Sequence, residues 1–293
     1  MAKKQYITKQ HYIPRFVLRN FVTDNLLYVA HIGTTNVRYF QTTPENICFQ
    51  NDLYEIKNED GTCFNRNALE DRFARMEGWF AFELRDLLEK SKNTPQITGE
   101  QDAMLALFLA VQLVRLPSFK QLIFGKNDIG TIEKNYLYEE FVNSQEAAIS
   151  YLNQSNVNFQ TKELLDNENK TVIDTVASHL LSNCFFYILD ASGIEEKFLI
   201  ADQPVLIWPF SDAQYIFPVS PNFAVACCPF LSAQGKQVEG FLKIGNEMLN
   251  KINALSCEQC NRFVIAKEFT ENQKRILERK DDRCCCSFNM GQG

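Results

Sequence analysis

The spacing of apolar residues changes character along this chain, and the changes mark out its elements. Leu26–Ile32 and Val37–Phe40 are short runs rich in β-formers, separated by Gly33-Thr34-Thr35-Asn36, which predicts a hairpin. From Arg66 to Lys90 the period becomes helical, with Leu69, Phe73, Met76, Phe80, Leu84 and Leu87 on one stripe. A break at Asn93-Thr94-Pro95 is followed by Thr98 as an N-cap, with Glu100 and Asp102 in the first turn. That helix runs to about Arg115, and Pro117 ends it. Its stretch Met104–Val114 is the longest apolar run, interrupted by Gln112; it is too short to span a bilayer and reads as a buried helix. Further helices are expected near Ile132–Tyr151 and over Lys162–Asp190, and Asn58–Gly61 reads as a turn.

Beyond Gly193 the pattern shortens. Phe198–Ala201, Val205–Trp208, Tyr215–Pro218 and Phe223–Cys227 read as strands separated by turn residues. Val238–Leu255 reads as a helix, Phe263–Ala266 as a strand and Glu271–Arg279 as a last helix. The expected fold class is α+β and helix-dominated: an N-terminal β-hairpin, a helical middle, and a small C-terminal β-rich part with flanking helices. The chain is expected to form either one compact domain over residues 1–283 or two intimately packed lobes, 1–192 and 193–283, with 284–293 a loose tail.

The segment His11–Phe21, HYIPRFVLRNF, concentrates chemistry and apolar anchors together. Pro14 pushes Ile13 toward an extended conformation, and is welcome at the start of a helical turn. Arg15 and Arg19 would then share a face, i to i+4. Ile13, Phe16, Leu18 and Phe21 carry enough apolar area to bury the segment at the centre of the fold. Residues 1–20 hold five Lys and Arg and no acid, in a chain of net charge −6, and that asymmetry points to an anion or an acidic patch nearby.

Composition narrows the class. At 293 residues, 45% hydrophobic and 23% charged, the chain has the make-up of a globular protein with a full-sized, Phe-rich core. The basic N-terminus has no apolar segment or cleavage site of a signal peptide. The ten cysteines include Cys227-Cys228 and Cys284-Cys285-Cys286, and adjacent cysteines suit a disulfide framework poorly. Reduced thiols and a cytoplasmic setting are expected. Cys257-Glu-Gln-Cys260 has zinc spacing but no second paired ligand motif, so no metal is expected. No Walker loop, dinucleotide fingerprint, kinase motif or Gly-x-Ser-x-Gly elbow is present, and no cofactor is expected.

Three segments together resemble a family of uncharacterised bacterial and phage proteins, domain-of-unknown-function family 4238. They are His11-Tyr12-Ile13-Pro14-Arg15-Phe16 with Leu18 and Phe21; Arg115-Leu116-Pro117, downstream of Glu70 and Glu77; and Phe198 to Val205, followed by Phe217-Pro218-Val219-Ser220-Pro221. The likeness runs from Lys9 to about Ala266. In the third segment Ala201 and Gln203 stand where the family usually has Ser and Asn, so no role for a hydroxyl or an Asn amide is expected at those positions. The resemblance implies a shared fold and lends no activity.

Two functional readings remain open. In the first, the protein is a phosphodiesterase or nuclease-type hydrolase, in bacterial defence or phage biology. His11 is then the acid/base, Glu70, Glu77 and Asp202 assist, and Arg15, Arg19, Gln112 and Arg115 hold the ligand. Each of these residues also has a structural reading: Asp202 as an Asx-type turn, Arg115 as a cation at a helix end, the arginines as partners of surface acids. In the second, the protein is a non-enzymatic binding, sensor or interaction protein whose polar cluster is structural and mutually saturated. The acidic net charge argues against tight duplex binding, so the expected partner is a nucleotide or single-stranded nucleic acid, not a membrane.

Overall fold

The computed structural model describes residues 6–33, 36–54, 67–90, 96–117, 172–208, 215–230 and 240–278. The chain divides into two compact units that interleave in sequence. One comprises Met1–Pro14 and Cys48–Phe186, the other Arg15–Ile47 and Tyr187–Gly293.

In the first unit β1 (Lys9–His11) pairs antiparallel with β4 (Phe49–Asn51), setting His11 opposite Phe49. Helix α2 (Ala68–Lys90) buries Phe73, Phe80, Leu84 and Leu87, the stripe expected from its period. Helix α3 (Gly99–Val114) opens with a capping box: Thr98 Oγ accepts the Gln101 N–H, and the Gln101 side chain accepts the Thr98 N–H. It is buried along most of its length, and Phe108 meets Phe80 of α2 with ring centroids 5.1 Å apart. Its main helical neighbour is α4 (Val172–Asn183).

The second unit carries helix α1 (Arg15–Arg19), which buries Val17 and Leu18, and a four-stranded antiparallel sheet in the order β3-β2-β11-β6. Its strands are β2 (Leu27–Ile32), β3 (Val37–Thr42), β6 (Ile200–Ala201) and β11 (Phe263–Ala266). The turn into β2 is a tight one: Thr23 and Leu26 exchange both backbone hydrogen bonds, while Asp24 and Asn25 take φ of 51° and 65°. Asn and Asp are among the few residues that accept that conformation. Helices α5 (Asn246–Gln259) and α6 (Glu271–Glu278) belong to the same unit, and Cys257 and Leu277 join Ala30, Leu199, Val264, Ala266 and Phe269 in one core.

A five-stranded sheet has the order β10-β5-β9-β8-β7. Its strands are β5 (Cys184–Asp190), β7 (Leu206–Ile207), β8 (Tyr215–Pro218), β9 (Phe223–Pro229) and β10 (Phe241–Lys243), with β10 parallel to β5.

The class is α+β. Helix dominance is not borne out, since among the described residues six α-helices stand beside eleven strands. In two places a strand stands where a helix was expected. The helix expected to reach Asp190 ends at Asn183, and Cys184–Asp190 is strand β5, because its aromatic and β-branched run favours a pleated, buried strand. The helix expected from Val238 begins at Asn246 after Gly245, and Phe241–Lys243 is strand β10. The helix expected at 132–151, the turn at 58–61 and the tail at 284–293 lie outside the described residues.

Candidate functional site

The first unit gathers several of the expected residues around one buried cation. Arg115 is the C-cap of α3 and only 1% exposed. Its Nη1 donates to Glu77 Oε1 at 2.7 Å, and its Nη2 donates to the His11 carbonyl at 2.5 Å. The guanidinium lies 4.8 Å over the Phe73 ring. One turn earlier on α3, Gln112 Nε2 donates to the Tyr12 carbonyl at 2.8 Å. The two helix residues thus hold consecutive carbonyls of the N-terminal segment, which their i,i+3 spacing permits.

Tyr54 completes the arrangement. Its hydroxyl donates to the Arg115 carbonyl at 3.0 Å, its backbone N–H donates to Gln10 Oε1 at 2.7 Å, and its ring meets Phe73 at 5.2 Å. Burial pushes the phenol above its ordinary pKa against the opposing pull of Arg115, so it stays a neutral donor. Burial likewise opposes the charge on Arg115, but Glu77 and the other contacts outweigh it and the guanidinium pKa rises. Glu70, two turns before Glu77 on α2, is half-buried, and its charge bears on Tyr54. His11 is 6% exposed and its ring tilts against Phe49 at 5.6 Å, with Lys9 Nζ 4.7 Å from the Phe49 ring.

Asp202 belongs to the second unit and is 2% exposed. Its Oδ1 accepts the Asn261 N–H at 2.7 Å and its Oδ2 the Arg262 N–H at 2.9 Å, while its own N–H donates to the Phe263 carbonyl at 2.9 Å. The carboxylate therefore fastens the end of β6 to the turn between α5 and β11. Burial raises its pKa, and the backbone N–H groups counter part of that rise. Arg15 and Arg19 are exposed on α1. Arg19 Nη2 meets Glu45 Oε1 at 3.3 Å, an exposed pair of the kind worth about 0–1 kcal/mol.

Residues 9–269 match the model of the family described as "Protein of unknown function (DUF4238)". The chain belongs to that family. No curated protein and no solved structure matches it.

In this DUF4238 protein, His11, Glu77, Gln112 and Arg115 thus form one hydrogen-bonded group, joined by Tyr54 and Gln10, which sequence reasoning did not select. Tyr54 sits in an irregular stretch with no period to mark it, and Gln10 is one polar residue beside a histidine. Asp202, Arg15 and Arg19 belong to the other unit. Arg115 Nε and Gln112 Oε1 are buried and have no hydrogen-bond partner among the described residues. Those residues also contain no group of three or more His, Cys, Asp and Glu able to hold a metal ion, and their cysteines are thiols. Cys257 and Cys260 are at the end of α5, with Cys260 Sγ donating to the Cys257 carbonyl at 3.1 Å.

Proposed function

We propose that this protein is a non-enzymatic binding protein, and that its His11–Glu77–Gln112–Arg115 cluster is a structural lock on the N-terminal segment. One observation carries this reading: the guanidinium of Arg115 is buried with both Nη atoms committed, one to Glu77 and one to the His11 carbonyl. With each Nη directed at a protein acceptor and the side chain only 1% exposed, the guanidinium is spent on the protein's own groups and shut off from a phosphate arriving from solvent. A cytoplasmic setting goes with this reading, and the thiol state of the described cysteines supports it.

The second reading is a phosphodiesterase or nuclease-type hydrolase with His11 as acid/base. It is favoured by the unpartnered Arg115 Nε and Gln112 Oε1, a donor and an acceptor on consecutive turns of one helix.

Turnover assays separate the two. With added Mg2+, a chromogenic phosphodiester and single-stranded DNA or RNA should remain intact in the presence of the wild-type protein. Arg115→Met should lower stability by about 3–5 kcal/mol, because Glu77 and the His11 carbonyl lose their partner. Hydrolysis by the wild type that His11→Ala abolishes, at unchanged melting temperature, would overturn the binding reading.

A further inference from the structure

One face of the four-stranded sheet in the second unit presents an arrangement that the polar cluster does not use. Strand residues alternate between faces. Tyr28, Ala30 and Ile32 of β2 join the core that includes Cys257 of α5 and Leu277 of α6, so Leu27, Val29 and His31 point the other way. The register carries this face across the sheet. Phe263 of β11 and Arg38 of β3 both lie opposite His31, and Phe40 lies opposite Val29.

At one end of this face Leu27, Val29, Ile200 and Ile265 are fully buried. At the other end the side chains are aromatic or cationic, and open to solvent. The Phe263 ring is 5.3 Å from His31 and 6.3 Å from Phe40, and the Arg262 guanidinium lies 5.2 Å over it. Phe40 is 42% exposed, Arg38 and Arg262 are exposed, and Phe263 and His31 are half-exposed. No carboxylate stands on this face of β2, β3 or β11. Among the described residues neither Arg38 nor Arg262 is in an ion pair. The nearby acid, Asp202, feels the charge of Arg262 but makes its hydrogen bonds to backbone N–H groups with both oxygens.

We propose that this face binds unpaired nucleotides of single-stranded nucleic acid, with bases stacking on Phe40, Phe263 and His31 and phosphates meeting Arg38 and Arg262. Adjacent rings on an open sheet offer every base a π-face, and arginines at the rim suit the phosphate charge. A cationic island on a chain of net charge −6 favours a short, local contact over the long phosphate track needed to hold duplex. The proposal rests on the reading of the protein as a binder, but it uses none of the residues of the Arg115 cluster.

The test is fluorescence anisotropy of the full chain with a labelled oligothymidylate of about ten nucleotides at low salt, with unlabelled UMP and duplex as competitors. The oligomer should bind, and added salt should weaken it. Phe40→Ala should weaken it about tenfold, the loss of one base–aromatic stack. Arg38→Gln combined with Arg262→Gln should weaken it and flatten the salt dependence. Trp79→Ala, an exposed aromatic on α2 of the other unit, should change nothing. Tighter competition by the oligomer than by UMP, with binding lost in the variants, upholds a strand as the ligand, whereas equal competition by UMP would mean a free nucleotide and overturn the strand. No binding at low salt, or wild-type affinity in both Phe40→Ala and the double variant, would overturn it. Phosphodiester turnover would sink the non-enzymatic reading without touching this face, whereas lost binding here leaves the turnover result as it was.

Discussion

Arg115 illustrates how a single buried charge constrains its neighbours. Removing a guanidinium from water costs several kcal/mol, and only close, well-directed partners offset that. Glu77 supplies the charge, and the His11 carbonyl fills a second direction. The sequence placed Arg115 at a helix end and Glu77 on the right stripe of α2, because both follow from local periodicity. It had no means of placing Tyr54, or of showing that backbone carbonyls of His11 and Tyr12 would be the acceptors, since neither leaves a pattern. Its place in the first turn of α3 makes Asp102 a favourable charge by sequence. Burial instead pushes its pKa from 3.8 to about 6, opposed by the Phe186 backbone N–H, and its Oδ1 is buried with no hydrogen-bond partner among the described residues. An acid whose folded pKa is raised binds more protons in the folded state between the two values. Stability is therefore highest below the unfolded pKa and falls as pH climbs toward the folded one. Asp102→Asn should stabilise the protein near pH 7, with the gain shrinking to nothing below about pH 4. Urea unfolding across that range tests it, and parallel pH profiles for the two proteins would refute it.

Elements with a clean period were legible: the β2–β3 hairpin, α2, α3, β11 and α6 fall close to where the apolar spacing puts them. Strands β5 and β10 were not. Continuous apolar runs such as Cys184–Asp190 fit a buried strand and a buried helix equally well. The edge of the five-stranded sheet holds a device that spacing also fails to show. Strand β7 is the last in order, and Ile207 is 55% exposed. Gln259, at the end of α5, accepts the Ile207 N–H at 2.9 Å and donates to the Ile207 carbonyl at 2.8 Å. Its side-chain amide thus stands in for a further strand and blunts an edge that would otherwise offer a pairing template. Gln259→Ala should cost about 1 kcal/mol and expose the Ile207 amide. Hydrogen exchange reads this directly, and an equally protected Ile207 amide in the variant would count against the role.

At the scale of the molecule, the sequence shows the order of segments but not which of them assemble. None of the described helices is long and apolar enough to cross a membrane. The two compact units each draw on separated stretches, and residues 15–47 join 187–293. The reason is strand pairing: β11 lies between β2 and β6, so a C-terminal strand completes its ladder with an N-terminal one. Likewise β5 lies between β10 and β9. A fragment starting at Gly193 would therefore lose β2 and β3 from one sheet and β5 from the other. It would also lose Tyr28, Ala30, Ile32 and Val37 from the core shared with Cys257 and Leu277. Large apolar side chains contribute about 1.5–3 kcal/mol each when fully buried, against a whole-domain stability of only about 5–15 kcal/mol. The fragment 193–293 should accordingly show no cooperative thermal transition by circular dichroism, although it keeps β6 to β11, α5 and α6. A cooperative melt of that fragment would mean that its sheets close without their N-terminal strands, and the pairing of β11 with β2 would then be dispensable to the unit.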